Sequence, residues 1–411
     1  MSKFFDVLET RSADERKLAL ATRLPQQIAH AKANTGYFAE SLKQVDAAAI
    51  TSTAALAALP VVRKSELIEL QKTRRPFGGL AASQWGKLGR VFSSPGPIYE
   101  PEGRSADYWR TARALYAAGF RAGDLVHNSF SYHMTPGAWI LEAGAQALGC
   151  TVFPAGVGQT EQQVAAMADL APNGYVGTPS FLRILLEKAD ELGIELPSLT
   201  KALVSGEAFL PPVRDALLAR GVIGYQAYAT AELGVIAYET EARQGLIVDE
   251  GVIVEIVRPG TGDPVPEGEV GEVVVTTFNS DYPLIRFGTG DLSAFLPGVS
   301  PCGRTNVRIK GWMGRADQTT KIKGMFVHPE QVAAVVKRHP QIARARLVVT
   351  NPDSTDHMTL NCEVGSPGGD LEQAIADSVR DVTKLRADVQ LVAVGSLAND
   401  GKVIEDCRNY D

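Results

Sequence analysis

The pattern of apolar and polar residues changes along the chain. Residues 12–43 have helical periodicity, and between residues 105 and 228 short apolar runs alternate with helical segments. Strands that alternate with helices in this way form βαβ units, whose parallel sheet is covered on both faces. Residues 244–296 contain mostly strands separated by the turn-rich stretch PGTGDPVPEGEVG, which predicts an antiparallel region with hairpins.

The pattern after Gly314 is different again. Two helical segments lie among several strands, an arrangement typical of a small α+β domain. The sequence therefore predicts an α/β protein with a large N-terminal domain, residues 1–313, that holds mostly parallel, helix-covered sheets and the antiparallel β region. A hinge at 314–317 and a small, mobile C-terminal α+β domain at 318–411 complete the expected architecture.

Composition and charge narrow the class of protein. The 411 residues, 45% of them hydrophobic, suffice for two or three domains with buried cores. A formal net charge of -6 argues against a nucleic-acid partner, because nucleic acids select basic surfaces. The chain has no apolar stretch of about 20 residues and no apolar signal core near its start. We therefore expect a cytoplasmic protein without membrane contact; a homodimer is left open.

Four segments combine acidic residues, arginine and lysine at expected strand or loop ends: YATAELG at 228–234, YPLIRFGTGDL at 282–292, GRADQTTKIKG at 314–324 and NDGKVIED at 399–406. Such residues suit the activation of a carboxylate by ATP. Attack on the α-phosphate brings two anions together, so cations must neutralise the developing charge. Mg²⁺ needs carboxylate ligands, and ribose hydroxyls need an acidic acceptor. Taken singly, each segment could equally be an ordinary polar loop.

In this order and spacing, the four segments resemble those of the adenylate-forming enzymes, which include acyl-CoA synthetases, luciferases and peptide-synthetase adenylation domains. The runs LPQQIAHAKANTGYFAESL and LAALPVVRKSEL are similar to the phenylacetate–CoA ligase branch. The resemblance spans essentially the whole chain. It implies an AMP-forming acid–thiol ligase that uses ATP, Mg²⁺ and coenzyme A to convert a small carboxylate, aryl or otherwise compact and hydrophobic, into an acyl-AMP and then an acyl-CoA.

The resemblance also implies roles for individual residues. Lys402 would bridge the substrate carboxylate and the α-phosphate, and Glu232 would bind Mg²⁺. Contacts to ATP and AMP are expected from Ser93, Ser94 and Gly96 in the phosphate loop, Gly206 and Glu207 along the adenine edge, Tyr228 on the adenine ring, Asp291 at the ribose hydroxyls, and Arg315 at the ribose and phosphates. The hinge residue would be Asp317, and the loop that approaches coenzyme A would contain Lys323 and Gly324. The acyl pocket would be lined by Tyr132, His133, Met134 and Trp139, although the same four residues could equally belong to the helix–sheet core.

The phosphate loop departs from the family pattern. The segment FSSPGPIYEPEG at 92–103 retains two serines and a glycine, but Pro95 and Pro97 remove backbone donors. Glu100 and Glu102 add negative charge where phosphates are expected. We therefore expect pyrophosphate binding that is weaker or built differently, and a purely structural loop stays open as an alternative.

Two further departures concern hydroxyl and metal-binding residues. Ala231 stands where the family has a hydroxyl residue, and Thr230 lies one position earlier. Many relatives hold zinc with Cys and His, but here only Cys302 is retained and Ser300 replaces its companion. A structural zinc site needs about four ligands, so we predict no zinc.

Two other functions remain compatible with the sequence. The first is an adenylating enzyme that passes its acyl group to a carrier protein or an amine instead of coenzyme A. The second is a non-catalytic relative that binds a nucleotide or an acyl-CoA, which the altered phosphate loop favours. The retained Lys402, Glu232 and Asp291 argue against this second alternative.

Overall fold

The computed structural model of the protein describes residues 2–316, 318, 320–322, 325–352, 355–365 and 370–408. Short 3-10 helices cover Val7–Thr10, Ala47–Ala49 and Lys64–Glu66. The α-helices are α1 Ala13–Asn34, α2 Gly36–Ser41, α3 Thr53–Leu56, α4 Leu67–Thr73, α5 Ala112–Ala117, α6 Gly137–Ala147, α7 Thr160–Leu170, α8 Pro179–Leu192, α9 Pro211–Ala219, α10 Pro329–Arg338 and α11 Leu371–Thr383.

The strands follow the same chain order. They are β1 Val62–Arg63, β2 Arg90–Ser94, β3 Ile98–Glu102, β4 Leu125–Asn128, β5 Thr151–Pro154, β6 Gly174–Gly177, β7 Lys201–Val204, β8 Ile223–Thr230, β9 Gly234–Tyr238, β10 Leu246–Val248, β11 Val252–Val257, β12 Gly271–Thr277, β13 Phe287–Ser293, β14 Phe295–Leu296, β15 Arg308–Ile309, β16 Thr320–Ile322, β17 Met325–Val327, β18 Ile342–Thr350, β19 His357–Val364, β20 Asp388–Ala393 and β21 Ile404–Asp406.

The chain divides into two compact units. The first contains Met1–Val254, Val275–Thr289 and Leu296–Trp312, and the second contains Glu255–Val274, Gly290–Phe295 and Met313–Asp411. The second unit thus includes two segments that the sequence-based division assigned to the large domain. The predicted hinge at 314–317 stays a prediction.

The main sheet of the first unit has a parallel half and an antiparallel half. The parallel strands lie in the order β5-β4-β6-β7-β8, and β8, β9, β10 and β15 continue the sheet in antiparallel fashion. A large hydrophobic cluster lies against this sheet; its fully or nearly fully buried members include Trp109, Leu115, Phe120, Val126 and Leu203. The predicted α/β class, with helix-covered parallel strands and an antiparallel region, is confirmed.

Local sequence signals explain where the helices of this unit begin and end. The Ser12 hydroxyl accepts from Glu15 N, and Glu15 in turn accepts from Ser12 N, which makes a capping box at the start of α1. Thr178 caps α8 by accepting from Phe181 N, and Pro179 occupies its first turn. None of the helices in the described part of the chain is long and apolar enough to cross a membrane.

The second unit contains a smaller sheet in the order β20-β19-β18-β21. β18 pairs antiparallel with β19 and parallel with β21, while β19 pairs parallel with β20. The core of this unit includes Val332 and Val335 of α10 and Ile375 and Val379 of α11. This sheet with its two helices is the α+β arrangement that the sequence predicts for the C-terminal region.

Candidate active site

A pocket of about 200 Å³ in the first unit brings three of the predicted motifs together. Ser94 comes from the predicted phosphate loop, Gly206 from the predicted adenine-edge segment, and Ala231 directly precedes Glu232. The rest of the lining is Pro95, Phe130, Thr135, Pro136, Gly137, Ile140, Leu141, Ser205, Ala229 and Thr230. Gly206 and Ala231 lie close together because β7 and β8 are parallel and end at the same edge of the main sheet, where α/β proteins place their ligands. Ser94 comes from a separate two-stranded sheet, β2 and β3.

The predicted phosphate loop is a β-hairpin. β2 and β3 pair antiparallel as far as Ser94, and residues 95–97, which include the predicted Gly96, form the turn. The backbone N–H of Ser93 donates to the carbonyl of Met134 at 2.9 Å. The hairpin is therefore fastened to the segment that precedes α6.

The two glutamates of the hairpin are not two free charges. Glu100 is fully buried, and one of its carboxyl oxygens accepts from the Ser94 hydroxyl. Burial, opposed by this hydrogen bond and assisted by the charge of Glu232, raises the pKa of Glu100 to about 8, so it is uncharged at neutral pH. Glu102 accepts from Trp109 Nε1 at 3.1 Å and pairs with an arginine of the same hairpin at 2.9 Å. The expected accumulation of negative charge is therefore largely absent from these two side chains.

Glu232, the predicted magnesium ligand, is buried between β8 and β9. Its Oε1 lies 2.7 Å from Nζ of Lys64, and its Oε2 has no hydrogen-bond partner among the described residues. Lys64 follows β1 and was not among the predicted site residues, because a lysine in the run RKSEL gives no signal of its own. A buried carboxylate oxygen that lacks a partner is the kind of atom that binds Mg²⁺, so the residues present fit this ion.

Glu100, Glu232 and Tyr282 form a buried polar cluster near the pocket. The Tyr282 hydroxyl is buried and has no hydrogen-bond partner in the part of the chain that the structure describes. Burial raises the pKa of Tyr282, and the charges of Glu232 and Glu100 raise it further. Within the described residues, no group of three or more His, Cys, Asp and Glu side chains could hold a metal ion, so protein carboxylates would supply only part of a coordination sphere.

The residues predicted to line the adenine lie at the ends of β7 and β8. Gly206 follows β7 with φ of +86°, a left-handed conformation that glycine adopts readily. Glu207 Oε1 accepts from the backbone N–H of Ser180 at 2.7 Å, at the positive end of α8. Tyr228 is buried, and its hydroxyl donates to Thr289 Oγ1 at 3.2 Å. Contacts of these residues with AMP stay predictions.

The predicted acyl-pocket residues lie beside the pocket. Tyr132 and Trp139 pack edge to face with their ring centroids 5.1 Å apart, and the Tyr132 hydroxyl donates to Glu142 Oε2 at 2.6 Å. His133 and Met134 are exposed. The role of these four residues in acyl binding stays a prediction.

The apolar walls of the pocket come from neighbours of that predicted set. Phe130 follows β4, and Ile140 and Leu141 lie on the first turns of α6. Both Ile140 and Leu141 are buried. Their apolar, helical pattern is the same as that of ordinary core residues, so nothing in the pattern favours them over Tyr132 or Trp139 as pocket residues.

In the second unit, Asp291 and Arg315 lie opposite each other in an isolated antiparallel bridge. Arg315 Nη1 donates to Asp291 Oδ1 at 2.7 Å, and Ala316 N donates to the carbonyl of Gly290 at 2.8 Å. Gly290 has φ of +72°, and a Cβ there would lie 2.8 Å from Arg315 Nη2. Glycine therefore permits the close approach of the guanidinium. The structure brings this predicted pair together, and its contact with ribose stays a prediction.

Lys402 lies in the loop that precedes β21. Its side chain is 47% exposed, and its Nζ lies 2.9 Å from Glu405 Oε1. The hydrogen bond to Glu405 raises the pKa of Lys402, with further help from the charges of Glu405 and Asp400 and against the effect of burial. The ammonium group is therefore charged at neutral pH, as its predicted role on two anions requires.

Three predicted site residues lie outside the described residues. They are the hinge residue Asp317 and the two residues of the coenzyme A loop, Lys323 and Gly324. The described neighbours of the loop, β16 and β17, pair as an antiparallel hairpin. The hinge role and the coenzyme A contact stay predictions.

The region where relatives are expected to hold zinc contains a buried ion pair. Arg304 Nε donates to Glu9 Oε1, which also accepts from the Tyr238 hydroxyl at 2.9 Å. The Cys302 thiol lies 3.1 Å from Ser300 Oγ. Burial raises the pKa of Cys302, but hydrogen bonds, among them those from Ser300 and Arg304, lower it more, so the net pKa is lowered. The absence of zinc stays a prediction.

Comparison with known proteins gives consistent matches. A family model described as AMP-binding enzyme matches residues 110–279. A phenylacetate-coenzyme A ligase from Aromatoleum evansii is 31% identical over 375 residues, which cover 87% of this chain and 83% of the relative.

Solved structures agree with this relationship. An open conformation of 2-hydroxyisobutyryl-CoA ligase, in complex with 2-HIB-AMP and CoA, matches with a TM-score of 0.73 and 28% identity over 97% of this chain and 92% of that chain. The same ligase in its thioesterification state matches with a TM-score of 0.72 and 27% identity, over 99% and 93% of the two chains.

Proposed function

Because the chain belongs to the adenylate-forming AMP-binding enzymes, in the branch of the phenylacetate–CoA ligases, we propose that it is an ATP-dependent carboxylate–CoA ligase. It would form an acyl-AMP and then an acyl-CoA. The family predicted from the sequence motifs is confirmed. The observation that carries the proposal is the pocket where Ser94, Gly206 and Ala231 converge, because it unites the segments predicted to bind phosphate, adenine and metal.

Groups around this pocket supply positive charge for the formation of the acyl-AMP. Lys64 places an ammonium group at Glu232, and Gly137 at the N-terminus of α6 lines the pocket. Helix N-termini attract anions through their free N–H groups and the helix dipole. A carboxylate that attacks the α-phosphate of ATP needs such stabilisation, because negative charge accumulates as the two groups approach.

Glu232 would hold the magnesium ion through Oε2, which has no hydrogen-bond partner within the described parts of the chain. When bound, this ion neutralises charge on the phosphate oxygens. In the structure, Lys64 balances the buried charge of Glu232, and burial of an unpaired carboxylate would otherwise be costly. The pair therefore offsets the cost of burying the carboxylate and leaves Oε2 for a cation.

The second unit would contribute the ribose contacts and the catalytic lysine. Asp291 would accept from the ribose hydroxyls, and Arg315 would hold that carboxylate and contact phosphate, as their 2.7 Å pairing favours. Lys402 would place its ammonium group between the attacking carboxylate and the α-phosphate. The small domain would then rotate at Asp317 so that coenzyme A, guided by Lys323 and Gly324, attacks the acyl-AMP. Solved states of the 2-hydroxyisobutyryl-CoA ligase are consistent with two such steps.

The substrate acid would be compact. The pocket volume of about 200 Å³ is below the roughly 300–1,000 Å³ of pockets that take drug-sized ligands. Phe130, Ile140 and Leu141 give it apolar walls, while Ser205 and Thr230 add hydroxyl groups. An aryl acid or a short branched acid fits these properties better than a long fatty acid. The predicted residues Tyr132 and Trp139 would pack behind these lining residues and support them.

Two alternatives differ in the fate of the acyl group. Transfer to a carrier protein or an amine would retain the adenylation site and dispense with coenzyme A. A non-catalytic binding protein is favoured by the two prolines in the turn at 95–97, which supply no backbone donors for phosphate.

The proposal also covers localisation and partners. The enzyme would act in the cytoplasm on small molecules and would not bind nucleic acid, and a homodimer is left open.

One experiment separates these possibilities. A panel of carboxylic acids that includes phenylacetate, benzoate, 2-hydroxyisobutyrate and a long fatty acid is screened for AMP release, with and without coenzyme A. We expect AMP release that depends on coenzyme A with at least one compact acid. Pyrophosphate exchange without any gain from coenzyme A would support the carrier or amine alternative, and no exchange with any acid would refute the enzyme.

A further inference from the structure

The side chain of Gln318 makes hydrogen bonds to the backbone of the loop that contains Lys402. The Gln318 amide nitrogen donates to the carbonyl of Gly401 at 3.0 Å, and its amide oxygen accepts from the backbone N–H groups of Val403 and Ile404. Three hydrogen bonds from a single side chain thus hold the residues on both sides of Lys402. All of these residues belong to the second unit.

Arg346 also holds this loop. Its side chain is 9% exposed, and its Nε donates to the carbonyl of Lys402 at 3.2 Å. Other nitrogens of Arg346 donate to the Asp400 carboxylate and, at 3.1 Å, to Glu405 Oε2. Asp400 Oδ1 also accepts from the backbone N–H of Lys402 at 3.0 Å. Both backbone polar groups of Lys402 are therefore bonded.

These contacts hold the backbone of Lys402 but do not bury its side chain. The ammonium group contacts Glu405, and the side chain is about half exposed, so the lysine can change rotamer without disturbing the loop. If this loop were flexible, the adenylation rate would fall, because misplacement of a catalytic group by about 1 Å can lower a rate on the order of 10²-fold. A fixed backbone removes most of that loss.

We propose that Gln318 and Arg346 are positioning residues that hold the Lys402 loop ready for the adenylation step. Gln318 directly follows the predicted hinge residue Asp317 in the sequence, so its amide ties the segment after the hinge to the lysine loop. Rotation at the hinge then moves the lysine together with that segment as one body. This inference rests on the proposed function, in which Lys402 acts on the transition state of adenylation.

The test uses two variants that remove the contacts and two that retain part of them. Gln318→Leu removes the three hydrogen bonds to the lysine loop, together with a 3.5 Å hydrogen bond to the Arg315 carbonyl. Gln318→Glu keeps oxygens that can accept from Val403 and Ile404. Arg346→Met removes the guanidinium, whereas Arg346→Lys keeps a buried cation. Arg344→Met is the matched control, because Arg344 lies on the same strand and donates to the carbonyls of Leu397 and Ala398, ahead of the lysine loop.

Each half-reaction is measured separately with phenylacetate and phenylacetyl-AMP, or with the panel acid of highest activity. We expect Gln318→Leu and Arg346→Met to lower kcat for pyrophosphate exchange by about 10- to 10²-fold, with little change in the KM for ATP. Thioester formation from supplied acyl-AMP should stay close to wild type. Gln318→Glu and Arg346→Lys should restore part of the rate, and Arg344→Met should stay close to wild type.

Double variants separate positioning from a general loss of structure. If Gln318 acts through Lys402, then Gln318→Leu should cost nothing further in the Lys402→Ala background. Hydrogen exchange at Val403 and Ile404 should accelerate in Gln318→Leu and less in Gln318→Glu. Additive losses in the double variant, or equal losses in both half-reactions, would overturn the inference. If Lys402→Ala alone spared adenylation, the proposed mechanism itself would fail, whatever the Gln318 variants did.

Discussion

Replacing Glu100 by glutamine tests the most unusual feature of the phosphate hairpin, a buried carboxylic acid. Glu100 is fully buried, one of its oxygens accepts from Ser94, and the other has no hydrogen-bond partner among the residues described. Glutamine has nearly the same shape and can still accept from the serine, but it cannot ionise. The substitution therefore removes the titration and leaves the packing almost unchanged.

The size of the effect follows from the pKa of Glu100, which is raised from about 4.5 to about 8, chiefly by burial. Between these two pH values the folded protein holds a proton that the unfolded chain has released. The free energy of unfolding must therefore fall as the pH rises. The contribution of Glu100 is fully present below about pH 4.5 and is lost by about pH 8. At about 1.4 kcal/mol per pKa unit, the full change is on the order of 4 to 5 kcal/mol.

Thermal unfolding of wild type and Glu100→Gln, without nucleotide or magnesium, measures this change. Relative to wild type, the variant should gain stability as the pH is raised from about 5 to about 8.5. At roughly 2 °C per kcal/mol for a large domain, the unfolding midpoint of the variant should rise by several degrees relative to that of wild type over this pH range. Glu102→Gln is the control, because it breaks an ion pair in the same hairpin and should lose similar stability at both pH values. A constant difference between wild type and Glu100→Gln would refute the buried acid.

The remaining predictions concern catalysis, metal and nucleotide. Lys402→Ala should lower pyrophosphate exchange by ~10²–10³-fold and leave thioester formation from supplied acyl-AMP nearly intact; equal damage to both would contradict the two-step mechanism. Elemental analysis should find no stoichiometric zinc, since Ser300 and Arg304 surround Cys302, and activity should vanish with EDTA and return with magnesium. Mg-ATP at a hundredfold its dissociation constant should stabilise the protein by ~2.7 kcal/mol, and a flat thermal-shift titration would contradict the nucleotide site.

Helices with strong local signals could be predicted closely from the sequence. The apolar periodicity of residues 180–192 predicts a helix, and the structure has it at Pro179–Leu192. Thr178 caps its start, and Gly193 ends it in the left-handed conformation with φ of +66°. These signals act within a few residues and do not depend on the rest of the fold.

Helical periodicity over residues 105–119 predicts a helix there, and this prediction is wrong in length. The structure has helix only over Ala112–Ala117, because Asp107 and Arg110 adopt positive φ values of 49° and 62°. The Asp107 carboxylate accepts from the backbone N–H of Thr111 at 2.7 Å and also from Ala112 N, which starts the helix late. Apolar periodicity cannot reveal such a turn, because the residues retain the same spacing in either conformation.

The candidate site shows the same division between local and tertiary information. Motif residues such as Glu232, Asp291 and Arg315 could be selected from the sequence because their types and order suit the chemistry. The Lys64 contact with Glu232 could not, since it joins residues 168 positions apart and rests on the fold alone. The protonation of Glu100 could not be predicted from the sequence either. In the sequence it is a charged residue between prolines, and its burial decides its charge.

The hairpin geometry bears directly on how a triphosphate could be held. Pro95 and Pro97 offer no N–H group, the Ser93 N–H already donates to Met134, and the Ser94 hydroxyl donates to Glu100. The donors that the sequence assigned to phosphate are thus partly occupied within the protein. We therefore expect phosphate binding to draw on groups outside the hairpin, such as the Lys64 ammonium group, the N-terminus of α6 and Arg315, or else to break these hydrogen bonds as the nucleotide enters. In both cases the uncharged state of Glu100 favours binding, because a buried carboxylate at this position would repel the phosphates.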